Sequence, residues 1–129
     1  MKPEPPPPVG TISWVDLTVP DAKALRHFYQ LVVGWEWSGL PMGGYDDYCM
    51  NPPGAPGAVA GICHAQGSNA DLPPVWLVYI TVADLDQSLA ACTELGGTLV
   101  SGPKTMPQGR YAIIRDPAGA AAALFEPRP

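Results

Sequence analysis

The sequence predicts an α+β fold in which two βαβββ halves form a curved mixed sheet around a concave cleft, with the helices outside. Two observations predict it. The first is an internal repeat, in which residues 14–37 align with residues 77–100. The second is a succession of strand-length and helix-length segments divided by Pro and Gly. The identical residues of the repeat fall where a strand leads into a helix and where that helix stops, which indicates a duplicated structure.

The amino-acid composition and charge of the chain exclude some classes of function. The chain has 129 residues, 47% hydrophobic and 15% charged, which predicts one globular domain. A net charge of −5 without a Lys/Arg cluster argues against nucleic acid and anionic membrane surfaces as partners. No apolar stretch approaches the roughly 20 residues that span a bilayer. Residues 1–10 lack the apolar core of a signal peptide, so we expect a cytoplasmic protein.

The domain organisation follows from the Pro and Gly breaks. Residues 1–10 are predicted to form a Pro-rich arm, which is either a solvated tail or a segment lying over a partner subunit. Residues 11–127 are predicted to form a single domain, with halves over about 11–66 and 75–127. The odd number of cysteines favours three buried or half-buried thiols in a reducing compartment over disulfides.

Each half is predicted to begin with a strand of period two. In the first half Val15, Leu17 and Val19 should pack on a helix, and in the second half Val78, Ile80 and Val82 should do the same. The opposite faces carry acid, hydroxyl and aromatic groups and should line a cleft. These cleft-facing residues are Trp14, Asp16 and Thr18 in the first half, and Leu77, Tyr79 and Thr81 in the second.

A helix follows each of these strands. Asp21 should cap a helix over 22–33 that stops at Gly34, and its apolar stripe is predicted from Leu25, Phe28 and Val32. In the second half Asp84 or Asp86 should cap a helix over about 87–95, with a stripe of Leu85, Leu89, Cys92 and Leu95. Further strands are predicted over 35–38, 45–51, 58–64, 97–101, 110–115 and 120–126.

Two segments carry a resemblance to a known family. The strand–Asp–helix start LTVPDAKALRHFYQLVVGW and the end RYAIIRDPAGAAAALFEP resemble the vicinal oxygen chelate superfamily. That superfamily includes glyoxalase I, extradiol dioxygenases and bleomycin-resistance proteins. The resemblance implies a fold of paired βαβββ units and a homodimer. It also implies metal ligands on the first and last strand of each half, at positions that here hold Trp14, Gly61, Leu77 and Ala123.

None of those four side chains can ligate a divalent ion, so we expect no metal and no cofactor. The residues therefore favour binding of a small apolar or aromatic molecule in the cleft between the halves, and no catalytic residue is identified. The predicted ligand-binding residues are Trp14, Asp16, Thr18, Leu77, Tyr79, Tyr48, Arg110 and Phe125.

Asp16 has several possible roles. It could pair with a cationic ligand or with Arg110, act as a general base, or hold a neighbouring strand. His64 is expected to be a solvated strand-end residue, although Asp16, His64 and Glu126 could form a displaced metal site. Two alternatives to a metal-free binding protein stay open. One is a glyoxalase-type lyase or dioxygenase-like enzyme with displaced metal ligands, and the other is a non-catalytic partner module.

Overall fold

The computed structural model describes residues 5–128, and within them the fold is α+β, with eight strands and two α-helices. These elements form two compact units. The first unit comprises residues 14–76, and the second comprises the described residues before position 14 together with those from 77 onward. Of the predicted Pro-rich arm, residues 1–4 lie outside the described part, and residues 5–10 are exposed.

The first unit is a βαβββ arrangement with a mixed four-stranded sheet in the order β2-β3-β4-β1. The parallel pair β1–β4 places Asp16 opposite Gly61 and Thr18 opposite Cys63, and the other neighbours are antiparallel. Its elements are β1 (Ile12–Val19), α1 (Ala22–Val33), β2 (Glu36–Pro41), β3 (Asp46–Asn51) and β4 (Ala60–His64).

The second unit repeats this topology, with the strand order β5-β8-β7-β6. Its parallel pair β5–β8 places Tyr79 opposite Ala123 and Thr81 opposite Phe125. Its elements are β5 (Trp76–Thr81), α2 (Leu85–Glu94), β6 (Thr98–Met106), β7 (Gly109–Arg115) and β8 (Ala121–Pro127). The predicted pair of βαβββ halves is therefore confirmed.

The capping residues set the helix bounds. Asp21 accepts a hydrogen bond from the amide of Ala24 at 3.1 Å, and Gly34 ends α1 in the left-handed conformation with φ of 89°. The predicted span of α1 is confirmed. In the second helix Asp84 caps the first turn through the amide of Gln87, so α2 begins two residues earlier than predicted.

The buried face of α1 differs from the predicted stripe. Ala22, Leu25 and Tyr29 pack against the sheet, whereas Phe28 and Val32 are 51% and 64% exposed. The prediction was right for Leu25 and wrong for the other two, because the helix carries two apolar rows and only one faces the sheet.

The stripe of α2 is also corrected at one end. Leu85 is fully buried and Leu89 packs beside it against Ala112 and Leu124. Leu95, however, is 75% exposed, because it follows the last helical residue as the C-cap. The predicted stripe therefore holds only for the helical residues.

Strand β6 is longer than predicted. It continues from Thr98 to Met106, through a Gly102–Pro103 step where the sequence predicts a break. Its pairing with β7 is irregular there, with register shifts between Leu99 and Ser101 and between Ser101 and Lys104. An edge strand tolerates such an irregularity because one of its sides needs no sheet partner. The extension places Lys104 in the sheet.

Candidate functional site

In the first unit, an indole–carboxylate pair lies on the sheet face opposite α1. The Nε1 of Trp14 donates to Oδ1 of Asp16 at 2.6 Å. Gly61 lies beside this pair, and a Cβ at that position would collide with the Asp16 carboxylate. Leu17 belongs to the core that α1 covers, so the predicted alternation along β1 is confirmed. Thr18, also on the Asp16 face, is only 4% exposed.

Two thiols lie near the carboxylates of the first unit. Burial raises the pKa of Cys63, and the nearby Asp16 and Asp47 carboxylates raise it further. Burial and the same two carboxylates also raise the pKa of Cys49. The reactive form of cysteine is the thiolate, so these side chains are poor nucleophiles. Both cysteines are free and half-buried, as predicted.

In the second unit, four side chains form one row across the sheet face opposite α2. Lys104 pairs with Tyr111, Tyr111 with Phe125, and Phe125 with Thr81. Tyr79 occupies the next row, and its ring centroid lies 6.0 Å from that of Tyr111. Tyr79, Tyr111 and Phe125 are all half-buried. We call Lys104, Tyr111, Phe125 and Thr81 the aromatic row.

Lys104 is a site residue that sequence reasoning missed. Its Nζ lies 5.7 Å from the ring centroid of Tyr111, within cation–π distance, and burial lowers its pKa. The period-two pattern could have found it only if β6 had been predicted to continue past Pro103. Leu77, which was predicted to line the cleft, is 1% exposed.

Arg110 lies on the other face of the second unit. Its Nη2 lies 3.2 Å from Oε1 of Glu126 and 3.3 Å from Oδ2 of Asp86, at the start of α2. Glu126 also accepts a hydrogen bond from the amide of Leu85 at 2.9 Å. Arg110 thus anchors α2 to the sheet, and the structure does not bring it together with Tyr79 and the aromatic row.

A histidine–carboxylate contact lies at the end of β4 in the first unit. His64 is not solvated as predicted, because Tyr45 and Tyr48 pack against its ring and leave the side chain 16% exposed. Its backbone amide donates to Oδ1 of Asp47 at 2.9 Å, and its Nδ1 lies 3.6 Å from the same oxygen. No local motif signals this pair, because its two residues lie on different strands.

His64 lines an open depression of about 560 Å³, together with Lys23, Tyr45, Asp46 and Tyr48. Tyr48 is 8% exposed and belongs to the core beneath α1. The structure therefore places this predicted ligand-binding residue with His64 and not with Trp14 and Asp16, which lie on the opposite face.

The donor set does not fit the metal that the family resemblance implies. Trp14 and Gly61 occupy the implied positions in the first unit, and Leu77 and Ala123 occupy them in the second. None offers the imidazole, carboxylate or thiolate that a divalent ion needs. Among residues 5–128, no group of three or more His, Cys, Asp and Glu side chains is arranged to hold a metal.

These features belong to a recognised family. Residues 11–124 match the Glyoxalase/Bleomycin resistance protein/Dioxygenase superfamily, and the chain belongs to it. No helix in the described part of the chain is both long enough and apolar enough to cross a membrane.

Two named relatives give the sequence similarity. The putative glyoxylase CFP32 of Mycobacterium tuberculosis is 32% identical over 119 residues, which cover 91% of this chain and 46% of the relative. The anthracycline biosynthesis protein DauV of Streptomyces sp. strain C5 is 31% identical over 119 residues, which cover 92% of this chain and 42% of the relative. The chain therefore spans less than half the length of these relatives.

Solved structures agree with the fold. Methylmalonyl-CoA epimerase from Mycobacterium tuberculosis aligns with a TM-score of 0.54 at 20% identity, covering 91% of this chain and 87% of that one. A Streptomyces coelicolor methylmalonyl-CoA epimerase aligns with a TM-score of 0.57 at 14% identity, covering 95% and 100%. At these identities the likeness concerns the fold alone.

Proposed function

We propose that this chain is a metal-independent binding protein for a small apolar or aromatic molecule. The observation that carries the proposal is the half-buried ring surface of Tyr79, Tyr111 and Phe125 on the sheet face opposite α2. Helix α2 packs on the other side, where Leu85, Ala112 and Leu124 are buried, so these rings are not needed to cover that core.

The ring surface has the composition of a small-molecule site. Such sites are lined mainly by apolar and aromatic side chains, with a few placed polar groups that orient the ligand. Phenol and phenyl rings offer offset or edge contacts to a planar ligand, each contributing about 0.5–1.5 kcal/mol beyond the area they bury. In the first unit, the Trp14–Asp16 pair supplies an apolar surface beside a fixed carboxylate.

The side chains at the candidate site support binding more than catalysis. The four positions implied for metal ligands carry no donor that fits a divalent ion, and glyoxalase I and dioxygenase chemistry depends on such an ion to polarise substrate oxygens. The raised pKa values of Cys49 and Cys63 disfavour a thiolate nucleophile. These observations support a site that holds its ligand without activating it.

The relatives suggest a ligand class. Two of them, from Streptomyces strains, are named as anthracycline biosynthesis proteins. That naming favours a polycyclic aromatic compound. We propose that the present chain binds a ligand of this class.

The test uses 1,8-dihydroxyanthraquinone, a neutral polycyclic probe. Calorimetric titration should give saturable one-site binding, and Tyr111→Ala should weaken the probe's affinity about tenfold because a stacking surface is lost. The matched control is Trp37→Ala. Trp37 is also half-exposed, but it lies on the α1 side of the first unit, where its ring centroid is 3.8 Å from the guanidinium carbon of Arg26. In Trp37→Ala the affinity for the probe should stay within twofold of the wild-type value.

Two outcomes would contradict the proposal. One is the absence of binding by the probe and by a panel of polycyclic aromatic compounds. The other is a purified protein that holds close to one divalent metal ion per chain by elemental analysis and turns over the hemithioacetal of methylglyoxal and glutathione. The latter result would instead establish a glyoxalase-type enzyme with displaced ligands.

We further propose that the chain forms a homodimer. Its matched relatives are more than twice the length of the aligned segment, so one copy of this fold accounts for less than half of each. Sedimentation equilibrium should give twice the mass of 13.6 kDa, and a monomer at micromolar concentration would contradict this proposal.

A further inference from the structure

We propose that Lys104 makes the ring surface of the second unit selective for aromatic ligands that carry an acidic group, such as a carboxylate. The inference rests on the proposed function, because it concerns which aromatic ligands that surface prefers. Its basis is the aromatic row, in which an ammonium group and two rings follow one another across neighbouring strands.

The length of the row suits such a ligand. Its four residues lie on four adjacent strands, from Lys104 on β6 to Thr81 on β5. Neighbouring strands are about 4.8 Å apart, so the row spans about 14 Å, which is the reach of a three-ring compound with one substituent. Thr81 is 2% exposed and closes one end, whereas Lys104 is half-buried at the other. The acidic group would therefore lie at the Lys104 end.

The setting of Lys104 favours pairing with an anion. Its ammonium lies near the face of Tyr111 and is partly withdrawn from water, which lowers its pKa. A partly desolvated charge attracts an anion more strongly than a fully hydrated one does. An ammonium carries three donors, so it can serve a ligand oxygen in addition to a partner within the protein.

Arg110 does not duplicate this role. Arg110 lies on the α2 side of the same sheet, where Glu126 and Asp86 hold its guanidinium. The chain as a whole carries a net charge of −5, so it does not attract anions non-specifically. The local cation beside the rings, Lys104, is therefore the group to which we assign a preference for acidic ligands.

The experiment compares two probes of nearly the same shape, the anionic anthraquinone-2-carboxylate and the neutral anthraquinone-2-carboxamide. Calorimetric titration at pH 7.5 should show that the carboxylate binds about tenfold more tightly, the size expected of one charge-assisted hydrogen bond in a half-buried site. Lys104→Met should remove this preference, because it weakens carboxylate binding about tenfold more than it weakens carboxamide binding. Lys104→Arg should keep most of the preference for the carboxylate. Raising the salt concentration should reduce that preference in the wild-type protein.

The control is Lys23→Met, which removes an exposed lysine from α1 in the other unit and should leave the preference intact. Circular dichroism establishes that each variant is folded, and Lys104→Gln replaces Lys104→Met if the latter is not. Equal affinity for both probes, or a preference that survives loss of Lys104, overturns the inference while the proposed function stands. Failure of both probes to bind also overturns the inference, and the titration with 1,8-dihydroxyanthraquinone then decides separately whether the proposed function stands.

Discussion

Replacing Gly61 by alanine should destabilise the first unit through one identifiable contact. A Cβ at position 61 would occupy the space of the Asp16 carboxylate and would also come within 3.4 Å of the Trp14 Nε1. The carboxylate must then turn away, and the 2.6 Å hydrogen bond from Trp14 is lost. The backbone itself offers no obstacle, because Gly61 does not adopt a positive φ.

The magnitude follows from three contributions. Losing a half-buried hydrogen bond to a carboxylate costs about 1.5 kcal/mol, and crowding the sheet face costs about 1 kcal/mol. Alanine is favoured over glycine in a strand by about 0.5 kcal/mol. The free energy of unfolding should therefore fall by about 2 kcal/mol in Gly61→Ala.

A double-mutant cycle isolates this contact. In an Asp16→Ala background the obstructing carboxylate is gone, so Gly61→Ala should stabilise the protein by about 0.5 kcal/mol instead. Urea unfolding followed by circular dichroism measures all four proteins. Gly57→Ala is the matched control, since a Cβ there meets no atom within 4 Å, and it should change the unfolding free energy by less than about 0.5 kcal/mol.

If Gly61→Ala lowers the unfolding free energy equally in both backgrounds, its cost does not arise from Asp16. An unchanged unfolding free energy in the wild-type background would likewise contradict a collision between the new Cβ and the Asp16 carboxylate.

Three further outcomes are expected. Met50→Ala, at a fully buried position, should lower the unfolding free energy by about 2–4 kcal/mol in urea titrations, and a cost below about 1 kcal/mol would contradict its place in the core. Hydrogen bonds from Arg110, and to a smaller extent from the Leu85 amide, lower the pKa of Glu126 below its usual 4.5. The stabilisation that ionised Glu126 gives the fold is therefore present above pH 4.5 and is lost as the pH falls through the lowered pKa. The difference in Tm between wild type and Glu126→Gln should therefore be constant from pH 8 to 6 and shrink by pH 3, and an undiminished difference would argue against this pairing. Cys63, whose pKa is raised by burial, should resist iodoacetamide at pH 8 until the protein is unfolded, as read by mass spectrometry, and rapid labelling of the native protein would show that it is accessible.

The parts of the fold that local chemistry determines could be predicted from the sequence. Asp21 and Gly34 fix the ends of α1 because each satisfies helix-end backbone groups within a few residues of itself. The period-two pattern of β1 placed Leu17 and Asp16 on opposite faces for the same reason, since alternation is a property of the strand alone.

Features that depend on distant partners could not be predicted. The row of Phe28 and Val32 is as apolar as the row of Leu25, and only the packing of the whole unit decides which one faces the sheet. The contact between Asp47 and His64 joins two strands whose register no local pattern gives. Lys104 was missed because a Gly-Pro pair predicts a break, whereas an edge strand can absorb it as an irregularity.

The shared register of the two parallel strand pairs has an evolutionary consequence. Asp16 stands opposite Gly61 as Tyr79 stands opposite Ala123, so the two parallel pairs share a register while the side chains at these positions differ. Main-chain hydrogen bonds hold these strand pairs together, so the pairing itself does not depend on which side chains the face opposite the helix carries. Either copy of an ancestral duplication could thus exchange an acid for a phenol without losing its architecture, and new chemistry could arise on one copy while the other preserved the old.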